Sequence, residues 1–545
     1  MTEHLRPRFH FSPASGWMND PCGLVLQRSA SGGPYHLFYQ YVPSDLGGLI
    51  KFHPGELRWG HATSRDMVTW RELGPALAPD AEEGAPLSGC AVIDSADTSG
   101  FGLPTGITTL FTRSRSEPAH PIGAQTIHFG ASADDGASFL FAQNNPVATA
   151  PIAGASPDNF RDPKVSWFDA GSGAGFWVMA VAAGRKIAFF RSDNLMNWVF
   201  ISDIAVYPDQ LAGGPLVECP DLMLLPNADG GPARWVLAYS ELHWPLVGED
   251  SKTWYVVGSF DGTRFRAEVA AGTTFDLLSE VAVRLDHGPD YYASQSWFLG
   301  STSLLGLLGA RLFGWMGAVF GGRIGYWPPS SPVIAGWVNN WRYAQRHAIE
   351  GRTDPWHGHL SVPRLVNVGN VGGQTRVLQT PHPNLRTLRR GTLIDSNGGL
   401  LNGSDFLVRV PPGADGTGQW DLGLRFSTTG MSADRVGIRI RSDDETRTEV
   451  RWDRATRQLF FDRTPPPGAT NSDRDFFRMY WAPLPAAGGV IALRILIDRD
   501  SIEVFGGRGE TVMTGLFFPA PSSGDIELFT IGGSVEIQRL RLFAM

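Results

Sequence analysis

Short apolar and aromatic runs bounded by Gly, Pro, Asn or Asp recur through the first two thirds of the chain, among them "YHLFYQY", "GITTLFTRS", "FWVMAVAAG" and "RWVLAYSEL". Their length and their β-branched and aromatic content predict short strands rather than helices. Four times such a run leads into a Ser, a nearby Asp in a turn-like setting, and then Trp or Phe: "HATSRDMVTW", "FGASADDGASF", "FFRSDNLMNW" and "VVGSFDGTRF". The serines are Ser64, Ser132, Ser192 and Ser259, and they recur roughly every 60 to 70 residues. An interval of that length holds four short strands, one blade of a propeller, and radial repetition protects the edges of antiparallel sheets. Four marked repeats plus residues 290 to 350 predict five blades, in a first domain over residues 1–365.

Beyond residue 360 the pattern changes. The passage "NVGNVGGQTRVLQTPHPNLRTLRRG" reads as a linker with a short helix, placed at residues 366–392. After it, "VGIRIRS", "TEVRW", "QLFF", "IALRILID", "SIEVFGG" and "SVEIQRLRLF" alternate with a period of two, which predicts a two-sheet sandwich over residues 393–545. The expected fold is therefore all-β, a five-bladed β-propeller followed by a C-terminal β-sandwich. The sandwich carries no catalytic constellation, and a supporting or oligomerising role is expected of it.

Composition narrows the function. The net charge is −8 with no basic stripe, which excludes a nucleic-acid partner. Three cysteines, Cys22, Cys90 and Cys219, are too few for a disulfide framework and fit a reducing compartment. The N-terminus "MTEHLRPRFHFSP" lacks the apolar core of a secretory signal, so the chain as written is expected in the cytoplasm, or outside the cell if a leader has been trimmed. Leu304 to Gly322 is long enough to span a bilayer, but Arg311 and repeated glycines argue for a hairpin, a lid or a subunit contact instead. No membrane partner is expected. Trp70 and Trp198 sit at recurrent blade positions and are read as core. His357 and His359 alternate as on a strand but lack a third ligand, so no metal site is expected.

Polar residues stand ahead of each marker serine: Asp20, Ser88, Asp162 and Glu218, about 30 to 44 residues before it. If these positions begin the innermost strands, Asp20, Asp162 and Glu218 converge at one mouth of the central channel. Acids crowded into one funnel repel, and repulsion with desolvation raises some pKa values while a cation such as Arg161 holds another group ionised. General acid/base chemistry needs that spread. A retaining glycosidase uses it with one carboxylate as nucleophile and a second carboxyl as proton donor.

The residues also carry a resemblance. "HFSPASGWMNDPCG", "NFRDPKV" and "ECPDL" resemble the three signature motifs of glycoside hydrolase family 32, the invertase and fructan-hydrolase family, and "RWGHATSRDMVTWRELGPALAPD", "PDYYASQSW" and "GWVNNWRYA" agree in order. The resemblance implies a retaining propeller enzyme that releases terminal β-D-fructofuranosyl units from sucrose or fructo-oligosaccharides without metal or organic cofactor. It implies Asp20 as nucleophile, Glu218 as acid/base and Asp162 as transition-state stabiliser. Asn19, Gln40, Ser88, Arg161, Tyr292 and Trp341 match positions lining the fructose pocket. A fructosyltransferase, a fructan exo-hydrolase, a sucrose-6-phosphate hydrolase and a non-catalytic sugar-binding propeller are the alternatives.

Three departures from the family pattern stand out. Cys22 replaces the final Asn of the first motif, Val217 precedes "ECP" where relatives have Trp, and Val42 to Leu57 contains no Trp. Leu49 or Phe52 is expected to cover the fructose face that this missing Trp leaves open. The Cys219 thiol is expected to hydrogen-bond Glu218, and the sandwich and residues 304–322 are the candidate surfaces for a homo-oligomer.

Overall fold

The apolar runs become the strands of five antiparallel sheets that follow one another along the chain. The computed structural model describes residues 3–27, 33–44, 52–115, 123–171, 174–209, 214–243, 250–270, 272–297, 299, 331–350, 353–409, 418–440, 447–469, 473–519 and 524–545. The segment 304–322 and Leu49 lie outside them. The first blade is built from Gly16–Leu26, Tyr35–Val42, Arg58–Ser64 and Arg71–Leu77, and the second from Ala85–Val92, Ile107–Ser114, Gln125–Ser132 and Leu140–Phe141. Phe160–Gly171, Ala174–Ala183, Lys186–Ser192 and Val199–Ala205 form the third; Leu216–Leu225, Arg234–Leu242, Lys252–Phe260 and Phe265–Ala267 form the fourth. Tyr292–Ser296, Val333–Trp337, Arg364–Val371 and Gln374–Pro381 form the fifth. The first strands of neighbouring sheets touch in a closed cycle, so each is the innermost strand of its blade. The strand Trp356–His357 pairs in parallel with Gly16–Leu26 and fastens the last blade to the first.

Burial follows this arrangement. Every residue of Gly16–Leu26 is buried, whereas in Arg71–Leu77 at the rim of the same blade only Leu77 is. Apolar side chains fill the gaps between blades. Phe160, Trp177 and Phe190 of the third blade, for example, share a core with Leu110 and Phe129 of the second. Trp198 is buried there with its indole N–H donating to Leu195 O at 2.8 Å, and Trp70 stacks on Trp297, so both tryptophans serve packing.

The repeated Ser and Asp are a turn device. Ser64, Ser132 and Ser192 end the third strands of their blades, and their hydroxyls donate to Asp66, Asp134 and Asn194 at 2.9, 2.8 and 3.1 Å. Asp66 in turn accepts the amides of Val68 and Thr69, which bends the chain into the fourth strand. In the fourth blade Ser259 is exposed and Asp261 makes the same turn alone, accepting from Thr263 N and Arg264 N.

The linker assigned to residues 366–392 is largely strand, and this is a correction. Residues 364–371 and 374–381 are the third and fourth strands of the fifth blade, joined by Gly372 and Gly373 with φ of 59° and 86°. Two central residues with positive φ make the turn that matches strand twist, so glycines that read as linker are a hairpin tip. Val366, Val368 and Val377 point inward against Met223 and Leu225 of the fourth blade. The propeller ends at Pro381, and the expected short helix is a single 3-10 segment, Pro383–Leu388.

The C-terminal region is a sandwich-like pair of sheets joined through one strand. Within Ile526–Ala544, residues 526–531 pair with Arg435–Ile440 and residues 536–544 pair with Trp420–Ser427. Gly532 and Gly533, with φ of 80° and 144°, form the bend between the halves. Arg435–Ile440 continues outward to Met479–Pro483, and Trp420–Ser427 continues to Thr511–Leu516. The faces enclose Leu422, Phe426, Ile438, Trp452, Ile495 and Val504. Among the described residues no helix is long and apolar enough to cross a membrane.

Propeller and sandwich meet across a buried ionic seam as well as an apolar one. Phe9, Val68 and Val362 pack on Leu496, Phe505 and Val512. Arg364, wholly buried, donates to Glu503 Oε2 at 3.0 and 2.5 Å and to Asp286 Oδ2 at 2.9 Å, and Arg463 pairs with Asp290 at 2.9 Å. His10 lies between Asp498 and Glu503 at 2.8 and 2.9 Å. Burial alone pulls its pKa down, but these two carboxylates outweigh burial and raise it to about 9. Because the folded value exceeds the unfolded one, His10 contributes fully below pH 6.5, and its contribution is lost as pH rises through about 9. On the order of 3 kcal/mol is involved. Urea melts between pH 7 and pH 9.5 should show that decline, and it should flatten in His10→Gln.

Candidate active site

In all five blades the innermost strand carries one residue more than its partner at the same height. The registers that skip are Met18/Pro21, Pro86/Gly89, Arg161/Lys164, Glu218/Asp221 and Tyr292/Gln295, each against two steps on the second strand. A bulge of this kind re-aims side chains out of the regular alternation. The residues inside it are Asn19–Asp20, Leu87–Ser88, Asp162–Pro163, Cys219–Pro220 and Ala293–Ser294. Glu218 and Tyr292 immediately precede theirs. Every blade thus turns a polar group toward the channel at the point where ladder pairing breaks.

Asp20 belongs to a ring of four side chains. Its Oδ2 accepts from Ser88 Oγ at 2.7 Å and its Oδ1 from Asn19 Nδ2 at 3.1 Å. Asn19 Nδ2 also donates to Gln40 Oε1 at 2.6 Å, and Gln40 Nε2 donates to Ser88 Oγ at 2.6 Å. Trp17 fixes the amide by donating to Asn19 Oδ1 at 2.9 Å. On the opposite side Glu218 Oε1 accepts from Arg161 Nε at 3.0 Å, and Oε2 accepts from the Tyr292 hydroxyl at 2.6 Å. Arg161 is itself held by Asn159 and Gln125 at 3.3 and 3.4 Å.

Asp162 completes the cluster. Its Oδ2 accepts from Cys219 N at 3.0 Å, and the Cys219 thiol lies 3.6 Å from both Asp162 Oδ2 and Asp20 Oδ2. The thiol therefore bridges the two aspartates and does not hydrogen-bond Glu218, which corrects the sequence expectation. Burial, reinforced by the charge of Glu218, raises Asp20 to about 6. The same two causes outweigh Arg161 and raise Asp162 to about 7. Burial also pushes the Cys219 thiol well above its usual range, so it is a neutral donor and not a nucleophile.

An aromatic wall flanks the acids. Trp341, its backbone N–H donating to Ser251 Oγ at 3.0 Å, stacks on Trp17 at 5.9 Å and meets Phe52 edge-on at 4.9 Å. Of the two groups expected to replace the missing Trp, Phe52 joins this wall. Val217 is in the core between the third and fourth blades, and Cys22 is fully buried with its Sγ 3.4 Å from Asp20 O. His357 stacks under Trp17 and contacts Thr353 Oγ1 at 2.8 Å, while His359 sits 3.4 Å from Asp500. Among the described residues no three His, Cys, Asp or Glu side chains are grouped to hold a metal.

All nine residues singled out from sequence stand in this region: Asp20, Asp162, Glu218, Asn19, Gln40, Ser88, Arg161, Tyr292 and Trp341. Thr112, Gln125 and Ser240 were not anticipated. Thr112 Oγ1 accepts Asp162 N at 2.9 Å, and Ser240 Oγ accepts Ala293 N at 3.0 Å. Thr112 and Ser240 lie on second strands and Gln125 opens a third strand, and no local sequence signal marks any of them.

Comparisons with known proteins give the family and the fold. Residues 10–320 match the model of the glycosyl hydrolases family 32 N-terminal domain, and residues 385–544 match that of the family 32 C terminal. The levanase of Bacillus subtilis (strain 168) is 34% identical, over 99% of this chain and 70% of its own length. An extracellular exo-inulinase of Aspergillus awamori is 32% identical, over 99% and 94%. The solved exo-inulinase from Aspergillus awamori superposes with a TM-score of 0.78 at 29% identity, covering 99% of this chain and 98% of that one.

Proposed function

The chain belongs to glycosyl hydrolase family 32, and on that footing we propose that it releases terminal β-D-fructofuranosyl units from sucrose and short fructo-oligosaccharides with retention of configuration. The observation that carries the reading is the gathering of three acids from three blades, with one thiol 3.6 Å from two of them and the third, Glu218, held by Arg161 and the Tyr292 hydroxyl. Asp20 attacks the anomeric carbon while Glu218 gives its proton to the glycosidic oxygen, and the leaving alcohol departs from a fructosyl ester of Asp20. Water then loses a proton to Glu218 as it attacks the same carbon, which frees fructose and restores both groups. Asp162 grips sugar hydroxyls, and Trp341 with Phe52 covers the ring. The reaction draws on carboxylates alone.

Asp20 must be ionised to attack. In the free enzyme kcat/KM is therefore expected to fall as pH drops through about 6, because the buried carboxyl takes up a proton there. A pH series at sub-saturating substrate checks this.

A second reading, a fructan exo-hydrolase on the same site, is favoured by the likeness to a levanase and to exo-inulinases. A product profile on sucrose, kestose, inulin and levan separates the readings. Stepwise release of fructose as the retained anomer supports the proposal, and the inverted anomer or no turnover overturns it. Free fructose lagging behind free glucose in concentrated sucrose marks transfer to a sugar acceptor, and a preference for sucrose 6-phosphate marks the phosphorylated substrate.

A further inference from the structure

The acids stand on different blades, so their mutual spacing depends on bonds that cross from blade to blade. Asp162, Cys219 and Ala293 hold φ of 60°, 48° and 51°. A residue other than glycine pays about 1–3 kcal/mol for such a conformation and keeps it only where its surroundings enforce it. A bulge also takes a residue out of the ladder, which frees its amide for another partner.

In each of these three residues the amide is taken by a side chain of the preceding blade. Asp162 N donates to Thr112 Oγ1 at 2.9 Å, Cys219 N to Asp162 Oδ2 at 3.0 Å, and Ala293 N to Ser240 Oγ at 3.0 Å. Thr112 is on the second blade, Asp162 on the third and Ser240 on the fourth.

Thr112 does more than accept. It is the second-strand residue facing the bulge of its own blade, the place that Gln40 holds in the first blade. Its hydroxyl donates to Ser88 O at 3.0 Å, while Ser88 Oγ donates to Asp20. One hydroxyl thus ties the main chain that carries the partner of Asp20 to the main chain of Asp162. Ser240 pairs with Glu218 in the fourth blade and pins Ala293 beside Tyr292, whose hydroxyl donates to Glu218 at 2.6 Å. Both Thr112 and Ser240 are completely buried, and their hydroxyls bond Ser88 O and Asp162 N, and Thr253 Oγ1 and Ala293 N, respectively.

Building on the hydrolase reading, we propose that Thr112 and Ser240 are positioning residues, whose hydroxyls set the spacing of Asp20, Asp162 and Glu218 across the blade boundaries. The acids then keep their separation because each strained amide is anchored to the neighbouring blade. Displacing one catalytic group by about 1 Å costs on the order of 10²-fold in rate.

Thr112→Val removes the hydroxyl at nearly constant shape and Thr112→Ser retains it. Steady-state fructose release and thermal melts should be measured for both and for Ser240→Ala. The expected result is a kcat about 10- to 100-fold lower in Thr112→Val and Ser240→Ala, with KM within about threefold, and recovery to within about threefold of wild type in Thr112→Ser. A lowered melting temperature with unchanged kcat per folded molecule overturns the proposal, as does an equal loss in Thr112→Val and Thr112→Ser. Ser240→Ala carries the same test if Thr112→Val yields no folded protein. Wild-type protein that releases no fructose overturns the hydrolase reading and this proposal together. Wild-type turnover with unaffected variants overturns this proposal alone.

Discussion

Alanine at position 20 is expected to lower kcat on sucrose or fructan on the order of 10⁴-fold or more, while the fold survives unharmed. In the proposed mechanism the loss is large because Asp20 forms the bond to the anomeric carbon, and the ring of Asn19, Gln40 and Ser88 around it offers no second carboxylate. The survival of the fold follows from the sign of the pKa shift. Burial and the charge of Glu218 raise Asp20 from 3.8 to about 6, so above that range the folded protein carries a carboxylate it would hold more easily when unfolded. Removing it relieves repulsion in the cluster. Thermal melts at pH 8 should give Asp20→Ala a melting temperature equal to or above that of the wild type. Residual activity within tenfold of wild type would remove Asp20 from the role of nucleophile.

The largest loss of stability is expected from Arg364→Met. The Arg364 guanidinium compensates both Glu503 and Asp286 in a seam with no solvent access, and it also donates to Thr514 Oγ1 at 2.6 Å. Removing one partner of a buried ionic group costs about 3–5 kcal/mol, and here it leaves Asp286 without its cation and Glu503 with His10 alone. The missing groups lie between propeller and sandwich, so the damage should be local to that junction. Calorimetry is the appropriate measurement, with a single transition in the wild type giving way to a lower, broader or divided one. A melt indistinguishable from wild type would mean that the seam adds nothing to the apolar packing of Phe9, Val362 and Phe505.

The blade period was legible because Ser64, Ser132 and Ser192 do one mechanical job, closing the turn into the outermost strand, and a turn staple leaves a local trace in sequence. The acids were legible through their motifs. Residues 366–381 were misread because hairpin glycines and linker glycines look alike until the inward valines find their partners on the next blade. The aim of the Cys219 thiol toward two aspartates depends on a left-handed backbone that no neighbour in sequence announces. Thr112 and Ser240 were invisible for a related reason. Their partners are amides freed by bulges on another blade, and only the assembled ring brings donor and acceptor together.

The closure of the ring by Trp356–His357 on Gly16–Leu26, together with the grip of Asp498 and Glu503 on His10, ties the last blade and the sandwich to the strand that bears Asp20 and to the segment leading into it. Residues hundreds of positions away in sequence thus seat that strand, His10 and Asp498 being 488 positions apart. Cleavage of the backbone between blade and sandwich would therefore be felt at the strand of Asp20 although every residue of the first blade is intact.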